Sequence, residues 1–178
     1  MVDIIKAEVE KNGWTCSLNH INVSKITDMS HLFRDGKSRG YELGEFNGDI
    51  SKWNVRNVKK MHCMFEHSKF NGDISKWDVS SVTNMSWMFA WSEFTGENGD
   101  LNNWDESNLN TMQSMFDGSK FNGDISNWDV SNVENVMHMF YHAKFNRDIS
   151  KWVFRNVKYS TEMFDGCPIK KEYEPKFK

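Results

Sequence analysis

Cysteine, proline, long apolar runs and an excess of basic charge are all scarce in this sequence, and each shortage excludes something. Three cysteines, Cys16, Cys63 and Cys167, lie in different parts of the 178 residues with no C-x-x-C pair. An odd, sparse count gives no disulfide framework and suits a reducing compartment. Only 2 prolines occur, and the short turn-rich segments fit regular structure better than disorder. No apolar run approaches the roughly 20 residues of a membrane span. The opening MVDIIKAEVEKNGW sets Asp3 and Lys6 around only two isoleucines, which is no signal-peptide core. The expectation is a cytoplasmic chain as given, with no membrane partner, or a cell-surface one if an export signal was removed. A net charge of -3 and a pI near 6.1 lack the concentrated basic surface of a nucleic-acid binder, so direct nucleic-acid binding is not expected.

Aromatic residues are abundant. They make up 14% of the chain, with 8 Trp and 13 Phe, ample for a core despite a mean hydropathy of -0.70. They also recur. FNGDISKWDVSSVTNMSWMF at residues 70–89 has near-copies at 46–65, 121–140 and 145–164, a looser copy ending at Phe116 and a degenerate one ending at Phe33. Aligning Ile26, Val58, Val82, Leu109, Val133 and Val157 gives steps of 32, 24, 27, 24 and 24 residues. A fixed period in the twenties is the signature of stacked units. It divides the chain into an N-terminal cap (1–17), a repeat region (18–168) and a C-terminal tail (169–178), one elongated domain with no linker.

Within a copy, Ile74, Trp77, Val79 and Val82 follow the spacing L-x-x-L-x-L-x-x-V, with Trp77 and Val79 alternating along a predicted strand. Stacked copies would pair these strands in parallel, rungs about 4.8 Å apart, and would align Trp53, Trp77, Trp104, Trp128 and Trp152 in one inward column. NMSWMFAW reads as two helical turns capped by Thr83 or Asn84, with Met85, Met88, Phe89 and Ser92 facing the strand. FNGD turns the chain back. The predicted fold is an α/β solenoid: a right-handed, leucine-rich-repeat-like superhelix of about six 24-residue strand-turn-helix coils with a parallel sheet. The cap is expected to be a short helix ending at Gly13, sealing the stack with Ile4, Ile5, Val9 and Trp14; Ile169 closes the other end, and Lys170, Lys171, Lys176 and Lys178 form a solvated tail. Residues 34–45 and 95–100 interrupt the period as loop insertions, either tolerated or contributing to a binding side.

These same residues resemble the repeat of the BspA-like leucine-rich-repeat surface proteins. The likeness covers about residues 18–168, through D-I-S-x-W-x-V-S-x-V and the following M-x-x-M-F. It implies an α/β solenoid that binds proteins or surfaces, and no catalytic residues.

Two surfaces qualify as contact sites. Trp87 and Trp91, four residues apart, point away from the core if Met85 points inward, and share their columns with Cys63, His67, His138 and His142. Tryptophan is over-represented among interface hot spots. On the predicted sheet face, Asp78, Asp105 and Asp129 make an acidic centre suited to a basic partner or to plain solvation. The column Asp49, Asp73, Asp100, Asp124 and Asp148 reads as turn-holding carboxylates rather than a calcium ladder. His138 and His142 have the spacing of a zinc pair but no third ligand nearby, and Cys63 with His67 lacks an orienting group, so neither metal, cofactor nor enzyme activity is expected. Glu106 occupies a buried valine column and is expected to escape to solvent through a local irregularity. The function these readings favour is a monomeric, non-enzymatic protein-interaction module with an unidentified protein partner. One version is an intracellular inhibitor that occludes a host or phage protein; the alternative is a BspA-like cell-surface adhesin.

Overall fold

The computed structural model describes residues 1–36 and 40–177; residues 37–39 of the first insertion and Lys178 of the tail lie outside the described residues. Among those described, the one α-helix is α1, Val2–Asn12, which ends at Gly13. It buries Ile5 and Val9 against the core, while Ile4 and Trp14 stay exposed, so the cap seals with two of its four expected residues. Strands β1 (Asp35–Gly36) and β2 (Tyr41–Glu42) pair antiparallel across the first insertion. The tail carries a three-residue 3-10 turn, Lys171–Tyr173.

The α/β solenoid is therefore not formed. Among the described residues no copy contains a helix and no parallel sheet exists; parallel pairing is reduced to single bridges such as Lys60 with Asn84, Asn84 with Thr111 and Thr111 with Asn135. The expected strand at Trp77 and Val79 is an irregular stretch between two turns, closed by Trp77 N–H to Ile74 O and Val82 N–H to Val79 O, and the leucine-rich-repeat description falls with it. The chemistry of the sequence explains why. Asp73 Oδ1 accepts from Ser75 N–H, Asp78 Oδ1 from Ser80 N–H, and Asn84 Oδ1 from Ser86 N–H. Short polar side chains that bond the backbone two residues on hold it in turns instead of a ladder.

The predicted helix fails for a related reason. Met85, Met88, Phe89 and Ser92 are all buried, as a helical face would be. Yet Met88 N–H donates to Met85 O, Ala90 N–H to Trp87 O and Ser92 N–H to Phe89 O, a chain of i→i+3 turns. Trp87 and Trp91 hold the third position of the turns 85–88 and 89–92 at φ 61° and 55°, left-handed values that no α-helix tolerates. Two four-residue turns bury i, i+3, i+4 and i+7 just as a helix does, so the burial period misled.

Side chains hold copy to copy. Phe65, Phe89, Phe116 and Phe140 stack at centroid spacings of 5.4, 5.7 and 5.6 Å, and Phe70, Phe94, Phe121 and Phe145 form a second column at 6.4, 6.0 and 6.1 Å. All eight are fully buried or nearly so. A third column holds the tryptophans: Trp53 lies 6.5 Å from Trp77, and Trp128 lies 6.4 Å from Trp104 and 6.3 Å from Trp152. Each indole N–H donates to a main-chain carbonyl one copy back: Trp53 to Leu18, Trp77 to Ile50, Trp104 to Ile74, Trp128 to Leu101 and Trp152 to Ile125, at 2.9–3.2 Å. Asparagines repeat the device at the surface, Asn108 Nδ2 donating to Ser80 O and Asn132 Nδ2 to Ser107 O.

Replacing Trp128 by Phe keeps most of the ring and removes one of the two hydrogen bonds at the Leu101 carbonyl, which still accepts the Trp104 N–H. The expected loss is about 0.5–1.5 kcal/mol in urea unfolding, against about 3–5 kcal/mol for Trp128→Ala. A Phe variant as stable as the wild type would show that the indole bond contributes nothing.

Candidate functional site: the left-handed turn face

Nine non-glycine residues among those described have positive φ, and they include every member of the predicted contact patch on this side: Cys63, His67, Trp87, Trp91, His138 and His142. They recur because each copy after the first places two left-handed residues four apart. Their amides are turned toward the following copy: Cys63 N–H donates to Ser86 O, His67 to Ala90 O, Trp87 to Gln113 O, Trp91 to Asp117 O, His138 to Thr161 O and His142 to Asp165 O. A left-handed non-glycine residue costs roughly 1–2 kcal/mol. Two tryptophans are bulky choices for such positions.

Trp91 is 48% exposed, yet its ring is fixed. It stacks on His67 at 6.3 Å, and it covers Gly118 so closely that a Cβ there would lie 2.5 Å from the indole. Gly118 stands in the same column as Trp91, one copy on, at φ +59°, and therefore satisfies both the backbone and the overlying ring. His142 covers Gly166 in the same way. Trp87 is half-buried. Cys63 is 5% exposed, so it lies beneath the face and not on it. His138 Nε2 is taken by Glu162 at 3.0 Å.

Below this surface is an acidic residue that the sequence reading missed. Asp117 is 6% exposed and its Oδ1 has no hydrogen-bond partner. Burial raises its pKa, opposed by the nearby His138, His142 and His67. Its position, directly before Gly118 in the Trp91 column, was the available signal. The second insertion packs elsewhere: Thr95 N–H and Asn98 Nδ2 bond Asn71, and Gly96 meets Phe121, so it does not form a lid on the indoles.

The acidic column of Asp78, Asp105 and Asp129 is exposed but committed to turns. Each carboxylate accepts a backbone N–H two residues on, from Ser80, Ser107 and Ser131. The serine side chain and then its N–H pull Asp78 and Asp129 below the usual carboxylate range. Asp49, Asp73, Asp100, Asp124 and Asp148 each hold a turn in the same manner. Glu106 does not escape to solvent as expected. It is 3% exposed, its Oε1 accepts the Asp129 N–H, and Oε2 has no partner. Burial first, against that N–H bond, and then Asp105 and Asp129 push it up to about 7.

Turn-built copies, aromatic columns and a tryptophan-bearing face define a protein class by architecture alone. Residues 6–97, and again residues 92–174, match the family described as Mycoplasma protein of unknown function, DUF285, and the chain belongs to that family. No BspA-like or leucine-rich-repeat family is shown, so the fold cannot be taken from that resemblance. No curated protein and no solved structure matches. Among the described residues no helix is long and apolar enough to cross a membrane.

Glu106 gives the molecule a pH signature. Its folded pKa lies above the unfolded one, so its stabilising contribution is complete below about 4.5 and is lost as pH rises through about 7. Glu106→Val, which copies Val79 and Val130, should be more stable than wild type at pH 8 by about 1–3 kcal/mol, the gap closing toward pH 4.5. Urea midpoints across pH measure it; a gap independent of pH would show that Glu106 does not titrate as stated.

Proposed function

We propose that this chain is a non-enzymatic protein-binding module that takes a basic side chain of its partner at the Trp91–Asp117 surface. The observation that carries the reading is a pairing: a rigid, half-exposed indole next to a buried carboxylate with an oxygen left unpartnered. An arginine or lysine laid over Trp91 gains a cation–π contact, and the carboxylate of Asp117, buried beneath this face, adds a coulombic attraction. His67, His138 and His142 border the site. The backbone supports a contact role as well. Gly118 and Gly166 show that glycine suits the Trp91 column, and tryptophan is retained there at a conformational cost.

The comparison is between the wild type, Trp91→Gly and Asp117→Asn as baits for lysate of the source cell, followed by calorimetry on the captured protein. Trp91→Gly reproduces what Gly118 and Gly166 already do, so the fold should persist, as circular dichroism will check. The expected result is one protein held by the wild type, with affinity reduced about 30-fold or more by Trp91→Gly, the scale of a hot-spot truncation near 2 kcal/mol. Equal affinity for all three baits would reject this surface.

A further inference from the structure

The first two copies carry a cluster that the Trp91 surface does not use. His31, His62 and Cys63 each bring one ligand atom within 4.8 Å of the others. His62 Nε2 lies 3.3 Å from Cys63 Sγ, and the two imidazoles meet edge to face at 5.0 Å. Only His62 and Cys63 are adjacent in sequence; His31 arrives from the preceding copy. Its amide is fixed by His62 O at 2.9 Å, and the amide of Cys63 by Ser86 O at 3.0 Å. Both His31 and Cys63 are left-handed, at φ 63° and 53°, so the copy-to-copy hydrogen bonds set where their side chains begin.

We propose that His31, His62 and Cys63 form a binding site for a zinc-class divalent cation, with a fourth coordination position facing solvent. The donor set is two imidazoles and a thiol, a combination that selects zinc and its late first-row neighbours over calcium or magnesium. Tetrahedral zinc, with bonds of about 2.0–2.1 Å to nitrogen and about 2.3 Å to sulfur, spaces its ligand atoms roughly 3.3–3.6 Å apart. The His62–Cys63 pair already has that spacing. His31, whose ligand atom lies within 4.8 Å of the other two, closes the remaining gap by a side-chain rotation.

The surroundings fit a metal-binding role. His62 Nδ1 lies 3.1 Å from Ser86 O and donates to it. That bond leaves the Nε2 lone pair toward Cys63, the carbonyl–histidine arrangement that orients metal ligands. Tyr41, carried by the first insertion, stacks on His31 at 5.2 Å and holds the ring. Arg34 stands 3.5 Å from His31 Nδ1, too far for a strong bond, and is anchored instead on Glu66 Oε1 at 2.8 Å. Glu66 is 6% exposed, lies beside the Cys63 thiol, and its Oε2 has no partner. A dication with one thiolate carries one net positive charge, and this buried carboxylate would offset it. His31 and His62 are half-buried, so an ion can enter from the surface; His31 also lines a cavity of about 370 Å³ with Asp28, Ser30 and Tyr41.

The site stands apart from the partner-binding reading, and its test needs no partner. The reduced full chain is titrated with cobalt(II) chloride under nitrogen and then with zinc chloride. The expected result is one cobalt per chain with a thiolate-to-cobalt charge-transfer band, displaced by zinc, and a melting temperature raised by zinc. Cys63→Ser should abolish the band and the rise. It should still fold, because Ser114 occupies the same left-handed column at φ 52°. His31→Ser and His62→Ser, the latter copying Ser86, should each weaken cobalt binding roughly 10–100-fold or more, since even outer-shell losses reach that size. Cys16→Ser with Cys167→Ser, and His138→Ala with His142→Ala, should leave binding unchanged. No charge-transfer band in the wild type, or one that survives Cys63→Ser, would overturn the site.

Discussion

The indole N–H of each core tryptophan is the bond on which the rest of the structure depends. A tryptophan buried to 3–5% exposure must find an acceptor for that hydrogen, and here the acceptor is a main-chain carbonyl of the preceding copy. One bond therefore does two things. It satisfies the donor inside an apolar core, and it sets how far one copy is displaced from the next. Once that displacement is fixed, the two phenylalanine columns fall into register at 5.4–6.4 Å, and turn amides find carbonyls on the neighbouring copy. Regular secondary structure is unnecessary because the side chains already define the layer spacing.

The same economy explains where strain and buried charge are found. Turns that close every four residues here carry a left-handed residue at their third position, and in this chain that position is filled by histidine, cysteine, serine, glutamate and tryptophan as well as glycine. Copy-to-copy amide bonds hold these residues in place. The strain is thus confined to one face, where the outward side chains are also the chemically most varied. The unpartnered carboxylate oxygens of Glu66 and Asp117 lie beneath that face, whereas that of Glu106 lies on the tryptophan side of the layer. A buried carboxylate oxygen without a partner is costly, even where its other oxygen is paired, as Glu66 is with Arg34 and Glu106 with the Asp129 N–H.

Much of this was readable in the residues, but not the backbone. The period, the inward tryptophans, the buried Met85, Met88 and Phe89, and the turn-holding aspartates follow from composition and spacing. The strand at Trp77–Val79 and the helix at residues 84–91 did not survive, because alternation and i, i+4 burial are also what a succession of short turns produces. Propensity could have warned against both: Asp, Ser and Asn recur every few residues, and each prefers its own backbone as a partner. The site was half legible. Trp91 stood out as an aromatic without a core role, but Asp117 needed its neighbours' geometry, and the meeting of His31 with His62 and Cys63 crosses a 32-residue step that the shorter steps elsewhere do not suggest.

The near-identity of the copies has a consequence for folding. Aromatic columns built from the same phenylalanines and tryptophans attract a copy to the wrong neighbour almost as well as to the right one. Discrimination must come from what is not repeated. The short bond from Asp129 N–H to Glu106 occurs at one interface, as does the placement of residues 95–100 against Asn71 and Phe121. Such irregularities, unfavourable or neutral when counted alone, act as addresses that tell otherwise interchangeable layers which one comes next.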